Sequence, residues 1–176
     1  VIVLGIDPGL ASTGYGVVGP PPRAGTAARP PRAALAALDG GVIETPAGLP
    51  IERRLATIHE AVAALLDEHR PDAVALEELY FGQNARSAFA VGQARGVVLL
   101  AAGQHGVPCT GYTPQQVKSA VCGSGRAQKD QVARMVRVLL GLACDPHPDH
   151  AADALAVAIC HANGAPLAAA LAGSAA

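Results

Sequence analysis

The sequence is poor in the side chains that usually fill a core in bulk. It has no tryptophan, two phenylalanines, three tyrosines and one methionine, so aromatics make up 3% of the chain. Its interior is therefore expected to be Ala, Val, Leu and Ile, brought to ordinary density by close approach of backbones. Charge of one sign is not in excess either: 13 Lys and Arg stand against 14 Asp and Glu, a formal net charge of −1. That excludes capture of a polyanion by a global field and leaves only local patches. No stretch reaches the roughly 18 consecutive apolar residues that a membrane span needs, so no membrane partner is expected. Cys109, Cys122, Cys144 and Cys160 form no C-x-x-C pair and no zinc-like spacing. With no secretory pattern at the start of the sequence, they are expected to be reduced thiols of a cytoplasmic protein. The G-x-x-x-x-G-K-[ST] phosphate loop is missing.

What is present is a chain of 176 residues that is 51% apolar, enough for one substantial core. That core is expected over residues 1–164. VIVLGI at 1–6 is a continuous apolar run ending in Asp-Pro-Gly, the pattern of a strand buried on both faces. GYGVVG should pair with it as a hairpin, and GGVIET should follow as a third strand. Between them the Pro-, Arg- and Ala-rich stretch 20–33 reads as a loop insertion. Ile51, Leu55, Ile58, Val62, Leu65 and Leu66 keep helical spacing. DAVALEE is a fourth strand, 84–102 a helix and PCTGYTP a fifth strand. A short helix follows from Pro114, then the flexible turn GSGRAQ, an amphipathic helix through Val132, Val136 and Leu140, and a last helix from Ala151. The Ala-rich tail, 165–176, carries no capping signal and is expected to be disordered. This order specifies an α/β fold: a mixed five-stranded sheet with helices on both faces.

The acidic residues cluster at element ends. Asp7 closes the first strand and Glu77 the fourth, where sites form in such sheets. The last helix opens with Asp149, His150 and Asp153. His150 and Asp153, at i and i+3, share a helical face. Asp149 and Asp153, at i and i+4, could share one too, although Asp149 alone reads as a cap. Carboxylates gathered at one point repel unless a cation neutralises them. Hard oxygens with one imidazole suit Mg²⁺ or Mn²⁺, and two such ions suit phosphodiester displacement. Lys118, Arg126, Lys129, Arg134 and Arg137 fall in one segment with only Asp130 opposing them, a local charge of about +4 by count, although Arg134 and Arg137 read equally well as a solvated helix face. Tyr80 and Phe81 follow the fourth-strand glutamates after Leu79. Tyr80 suits stacking on an unpaired base and Phe81 suits packing, while Gln83, Asn84 and Arg86 suit backbone contacts. Gly92 and Gly96, four apart, would let a second helix approach closely, either from this chain's own fold or from another copy.

LGIDPGLASTGYGVV, ALEELYFGQNARSA, GQARG, QVKSAVCGSGRAQKDQV and DHAADALAVAICH, in this order, resemble the RuvC family of bacterial Holliday-junction resolvases. The likeness runs over nearly the whole chain. It implies a ribonuclease H-like fold, a homodimer, and two-metal nicking of four-way DNA junctions in recombination and repair, alongside branch-migration machinery of the RuvA/RuvB type. Matched by position, the metal-binding set is Asp7, Glu77 and Asp153, with His150 at a fourth place that is commonly Asp. The two functional lysines correspond to Lys118 and Lys129, and a junction-binding aromatic corresponds to Tyr80. Arg126 joins the DNA-binding set from the basic segment. Two other readings stand beside this one. An ATPase or sugar-kinase-like protein also opens with a strand, an Asp and a Gly-rich hairpin. A junction-binding module without catalysis would have His150 as a decayed carboxylate.

Overall fold

The computed structural model describes residues 1–21, 34–78 and 85–173, with only the backbone described at 85–87 and 165–173. The insertion is thus almost wholly outside the described residues, as are Tyr80, Phe81, Gln83, Asn84 and the side chain of Arg86.

The elements are β1 (Val3–Asp7), β2 (Ser12–Gly19), β3 (Ala36–Glu44), α1 (Ile51–His69), β4 (Ala73–Glu77), α2 (Ala85–Gln104), β5 (Cys109–Tyr112), α3 (Pro114–Cys122), α4 (Lys129–Leu140) and α5 (Asp149–Gly173). The five strands form one sheet in the order β3-β2-β1-β4-β5. β1, β2 and β3 are antiparallel, whereas β4 and β5 run parallel to β1. This is the mixed, ribonuclease H-like sheet that the resemblance implies.

Alternation along β1 decides which way the first acid points. Leu4 and Ile6 enter the core beneath α1 and α2, while Val3 enters the core beneath α3, α4 and α5. Asp7 continues the odd-numbered series and faces α5. β4 repeats the pattern: Val74 and Leu76 lie toward α1 and α2, Ala75 lies toward α5, and Glu77 follows it. Ile6 and Leu76 are register partners, so the next residues, Asp7 and Glu77, emerge side by side. Leu4, Ile6, Val74 and Leu76 are fully buried, and each such side chain stabilises the fold by about 1.5–3 kcal/mol through burial.

The helix above these acids comes unusually close to the sheet. A Cβ on Gly5 would stand 2.1 Å from the carbonyl oxygen of Ala154, and one on Gly14 would stand 2.0 Å from that of His150. On Gly16 it would meet Leu155 at 2.7 Å. The three glycines form a seam into which α5 settles, and buried Ala151, Ala154 and Ala158 keep its underside thin. The scarcity of large side chains is thereby put to use: backbone lies on backbone.

Three boundaries differ from the sequence reading. β2 starts at Ser12, which pairs with Glu44, and β3 starts at Ala36, where pairing continues past an irregularity at Val17/Val18 to Gly19. α5 runs to Gly173 rather than ending near 164; alanine has the highest helix propensity, so the missing cap does not stop it there. On α2 the sheet-facing residues are Ala94, Val98, Ala101 and Ala102. Gly96 is exposed, and a Cβ there would meet nothing within 4 Å. Packing among the described residues therefore does not explain Gly96.

Candidate active site

Asp7, His150 and Asp153 each offer a ligand atom within 4.8 Å of the others. His150 Nδ1 donates to Asp7 Oδ2 at 2.8 Å. Cis ligands around a small octahedral ion, with bonds of about 2.1 Å, are about 3 Å apart. Two carboxylates and an imidazole at this spacing fit a hard divalent cation. Glu77 stands just outside this tightest group but feels it. Burial, then the charges of Asp7 and Asp153, push its carboxyl up to about 7, with Lys129 opposing. Burial likewise raises Asp153; the Lys129 ammonium pulls it down and Asp7 adds to the rise. The acids are thus held in a place hostile to bare negative charge, which is the condition under which a cation binds strongly.

Lys129 supplies the internal countercharge. Its Nζ lies 3.2 Å from Asp153 Oδ2 and 3.5 Å from Asp149 Oδ2. Partial burial works against its ammonium, but the two aspartates outweigh it and raise its pKa. Local structure explains the placement. Thr113 and Gln116 form a reciprocal capping box with Pro114 in the first turn, which starts α3. Gly123, at φ 73°, ends α3 in the left-handed region. The chain returns through GSGRAQ and enters α4 at Lys129, beside the first turn of α5. Lys118, on α3, lines with Glu77, Lys129 and Asp153 a cleft of about 250 Å³.

Two expectations need correction. Asp149 does not cap α5 with its side chain: Pro148 O accepts from Ala151 N, and the Asp149 carboxylate turns to Lys129 instead. The basic segment is also not one open patch. Arg134 pairs with Asp130 one helical turn before it. Arg137 Nε lies 3.3 Å from Asp145 Oδ1, although without hydrogen-bond geometry. Both therefore belong to a compensated helix face. Arg126 is exposed and, among the described residues, has no ion-pair partner. The tie between Lys129 and Asp149 was missed because sequence spacing does not reveal how α4 and α5 sit relative to each other.

A sequence model described as "Crossover junction endodeoxyribonuclease RuvC" matches residues 3–161. Proteins of that name are 53% identical in Thermomicrobium roseum, over 90% of this chain and 91% of the relative, and 52% identical in Moorella thermoacetica, over 94% and 93%. The solved RuvC of Thermus thermophilus, in complex with a Holliday junction substrate, superposes with a TM-score of 0.84 at 42% identity, covering 95% of this chain and 96% of that one. These matches span the strands and helices that carry Asp7, Glu77, His150 and Asp153, and by them the chain belongs to the RuvC family of crossover junction endodeoxyribonucleases.

Proposed function

We propose that this chain resolves four-way DNA junctions by metal-dependent hydrolysis of a phosphodiester in each of two opposed strands. The observation that carries this reading is the convergence of Asp7, His150 and Asp153 within 4.8 Å, with the Lys129 ammonium at their edge. Asp7, Glu77, His150 and Asp153 would hold Mg²⁺ or Mn²⁺, two ions per site. Bound there, the ions supply a nucleophilic water and charge neutralisation at the phosphate. Lys129 is placed to neutralise charge developing on the scissile phosphate. Lys118, across the cleft from Glu77, orients the same group. Arg126 contacts backbone phosphate, and Tyr80 stacks on a base unpaired at the crossover.

A four-way junction has two-fold symmetry, so a C₂ dimer presents two equivalent sites to it. The outward face of α2 supports such a dimer. Phe89 is 70% and Leu100 55% exposed there, and the space over Gly96 is open. An apolar face around a glycine suits a second copy of the same helix. Acting on recombination intermediates, the enzyme would work in the cytoplasm beside branch-migration proteins of the RuvA/RuvB type.

The test is incubation with a synthetic four-way junction and with a linear duplex of equal length, with and without Mg²⁺ or Mn²⁺. Paired nicks confined to the junction and dependent on the ion are expected. Metal-dependent nicking of both substrates at one rate would contradict the assignment.

A further inference from the structure

Beside the metal-binding group lies a second cleft, of about 420 Å³, with His150 in the wall between them. Its far side is Arg54 of α1, its floor includes Val91 of α2, and its rim is the turn from Gly9 to Ser12. We propose that this cleft seats the backbone phosphate next to the scissile one on the strand being cut. The inference rests on the DNA-nicking assignment and adds a contact to it.

The turn is braced in an unusual way. Among the described residues, Thr13 and Thr45 are the two buried polar ones, at 0% and 4% exposure. Thr13 Oγ1 donates to Gly9 O at 2.6 Å, Thr45 Oγ1 donates to Leu10 O, and Thr45 N donates to Ala11 O at 2.9 Å. Three successive carbonyls are thus drawn toward the protein interior. In a trans peptide the N–H of the next residue points opposite to the carbonyl. The N–H groups of Leu10 and Ala11 are therefore turned outward, to the side of the cleft. Among the described residues, neither finds an acceptor. Successive outward N–H groups in a turn form a concave anion seat.

Arg54 completes it. Its Nε donates to Thr45 Oγ1 at 2.9 Å and its Nη2 to Thr45 O at 3.4 Å. The threonine that fixes the turn therefore also fixes the guanidinium. No carboxylate among the described residues pairs with Arg54. The second terminal nitrogen is left for an anion, and a planar guanidinium matches phosphate oxygens well. A phosphodiester strand crossing the metal group would bring a neighbouring phosphate into this seat, because His150 both belongs to that group and lines the seat.

The experiment is a thermodynamic cycle on junction affinity, measured without divalent metal. Methylphosphonate replaces, one at a time, the phosphates on either side of the scissile position. One of these neutral linkages should weaken wild-type binding by about five- to ten-fold, the range for a charge-assisted phosphate contact. In Arg54→Met the intact junction should bind that much more weakly, and the same linkage should cost nothing further. Arg54→Gln keeps a donor for Thr45 and decides the matter if the Met variant does not fold. Losses that multiply in both variants would overturn the seat while leaving junction cleavage intact. Wild-type protein that bound no junction would remove the assignment beneath it, and the seat with it.

Discussion

His150 Nδ1 and Asp7 Oδ2 are 2.8 Å apart across 143 residues of chain. The imidazole therefore stands at the acidic group itself, where a carboxylate would add negative charge and an imidazole does not. A nitrogen donor and a lower site charge favour Mn²⁺ over Mg²⁺. His150→Asp is expected to keep nicking and move its preference toward Mg²⁺. His150→Ala should lose most activity with either ion. Single-turnover rates on a four-way junction in each metal check both, and a fully active His150→Ala would remove the residue from the site.

Glu77 offers a test on the protein without metal. Its carboxyl titrates near 7 in the fold, above the ordinary value of about 4.3 that it has unfolded. Between those values the folded state binds more protons than the unfolded one, so stability falls as pH rises through this window. Glu77→Gln removes that loss. In chelator, the variant should melt higher than wild type at pH 8 and level with it near pH 4. It should nick no junction at any pH. Equal melting curves at pH 8 would show that the site is not electrostatically frustrated.

Lys129 competes with any cation that Asp153 receives. Lys129→Met is therefore expected to bind Mn²⁺ more tightly while nicking at least about 100-fold more slowly, the scale for losing one transition-state charge contact. Asp149→Asn frees the lysine to sit wholly on Asp153. It should weaken Mn²⁺ binding by a few-fold, an effect kept small by the exposure of the pair. Calorimetric titration of both variants reads the two signs. Tighter binding by Asp149→Asn would invert this account of the lysine.

The glycine seam is sensitive to one carbon. Gly14→Ala places a Cβ 2.0 Å from His150 O, and backbone, unlike a side-chain tip, has nowhere to turn. Overpacking of this kind costs about 1–3 kcal/mol or more. It should also lift His150 from Asp7, so metal affinity should fall further than stability does. Gly48→Ala, where a Cβ meets nothing within 4 Å, is the control. Melting temperature and Mn²⁺ titration separate the two losses.

Leu100→Glu should break the proposed dimer. A charge placed on an apolar helix face meets its own copy across a two-fold axis. Sedimentation velocity should show a monomer that still binds Mn²⁺ but leaves the second strand of a junction uncut. A dimer that persists in Leu100→Glu would move the interface off α2.

Much of this was legible in the sequence because strands impose a period of two. The apolar run to Ile6 and the run to Leu76 each end on an acid, and parallel neighbours put those acids together. The i, i+3 spacing of His150 and Asp153 likewise placed both on one helical face. Less was legible where two elements must be docked before a residue has a neighbour. Nothing near Asp149 in the chain announces Lys129, and Gly5, Gly14 and Gly16 read only as strand glycines until α5 is laid upon them. Asp130, four residues before Arg134, was visible as its partner in the sequence, whereas the partner of Arg137, Asp145, comes near only once the chain has turned after α4. Thr13 and Thr45, bland in sequence, brace a turn together although one lies on β2 and the other just past β3.

Asp7 is translated 143 residues before His150, at about 5–20 residues per second a delay on the order of ten seconds. Until α5 leaves the ribosome, the glycine face of the sheet lacks its covering helix and Asp7 and Glu77 have neither the imidazole nor the third carboxylate beside them. On the proposed reading the nascent chain is thus unarmed, and a message broken before its final helix would yield a fragment without His150 and Asp153 rather than an unregulated cutter of DNA.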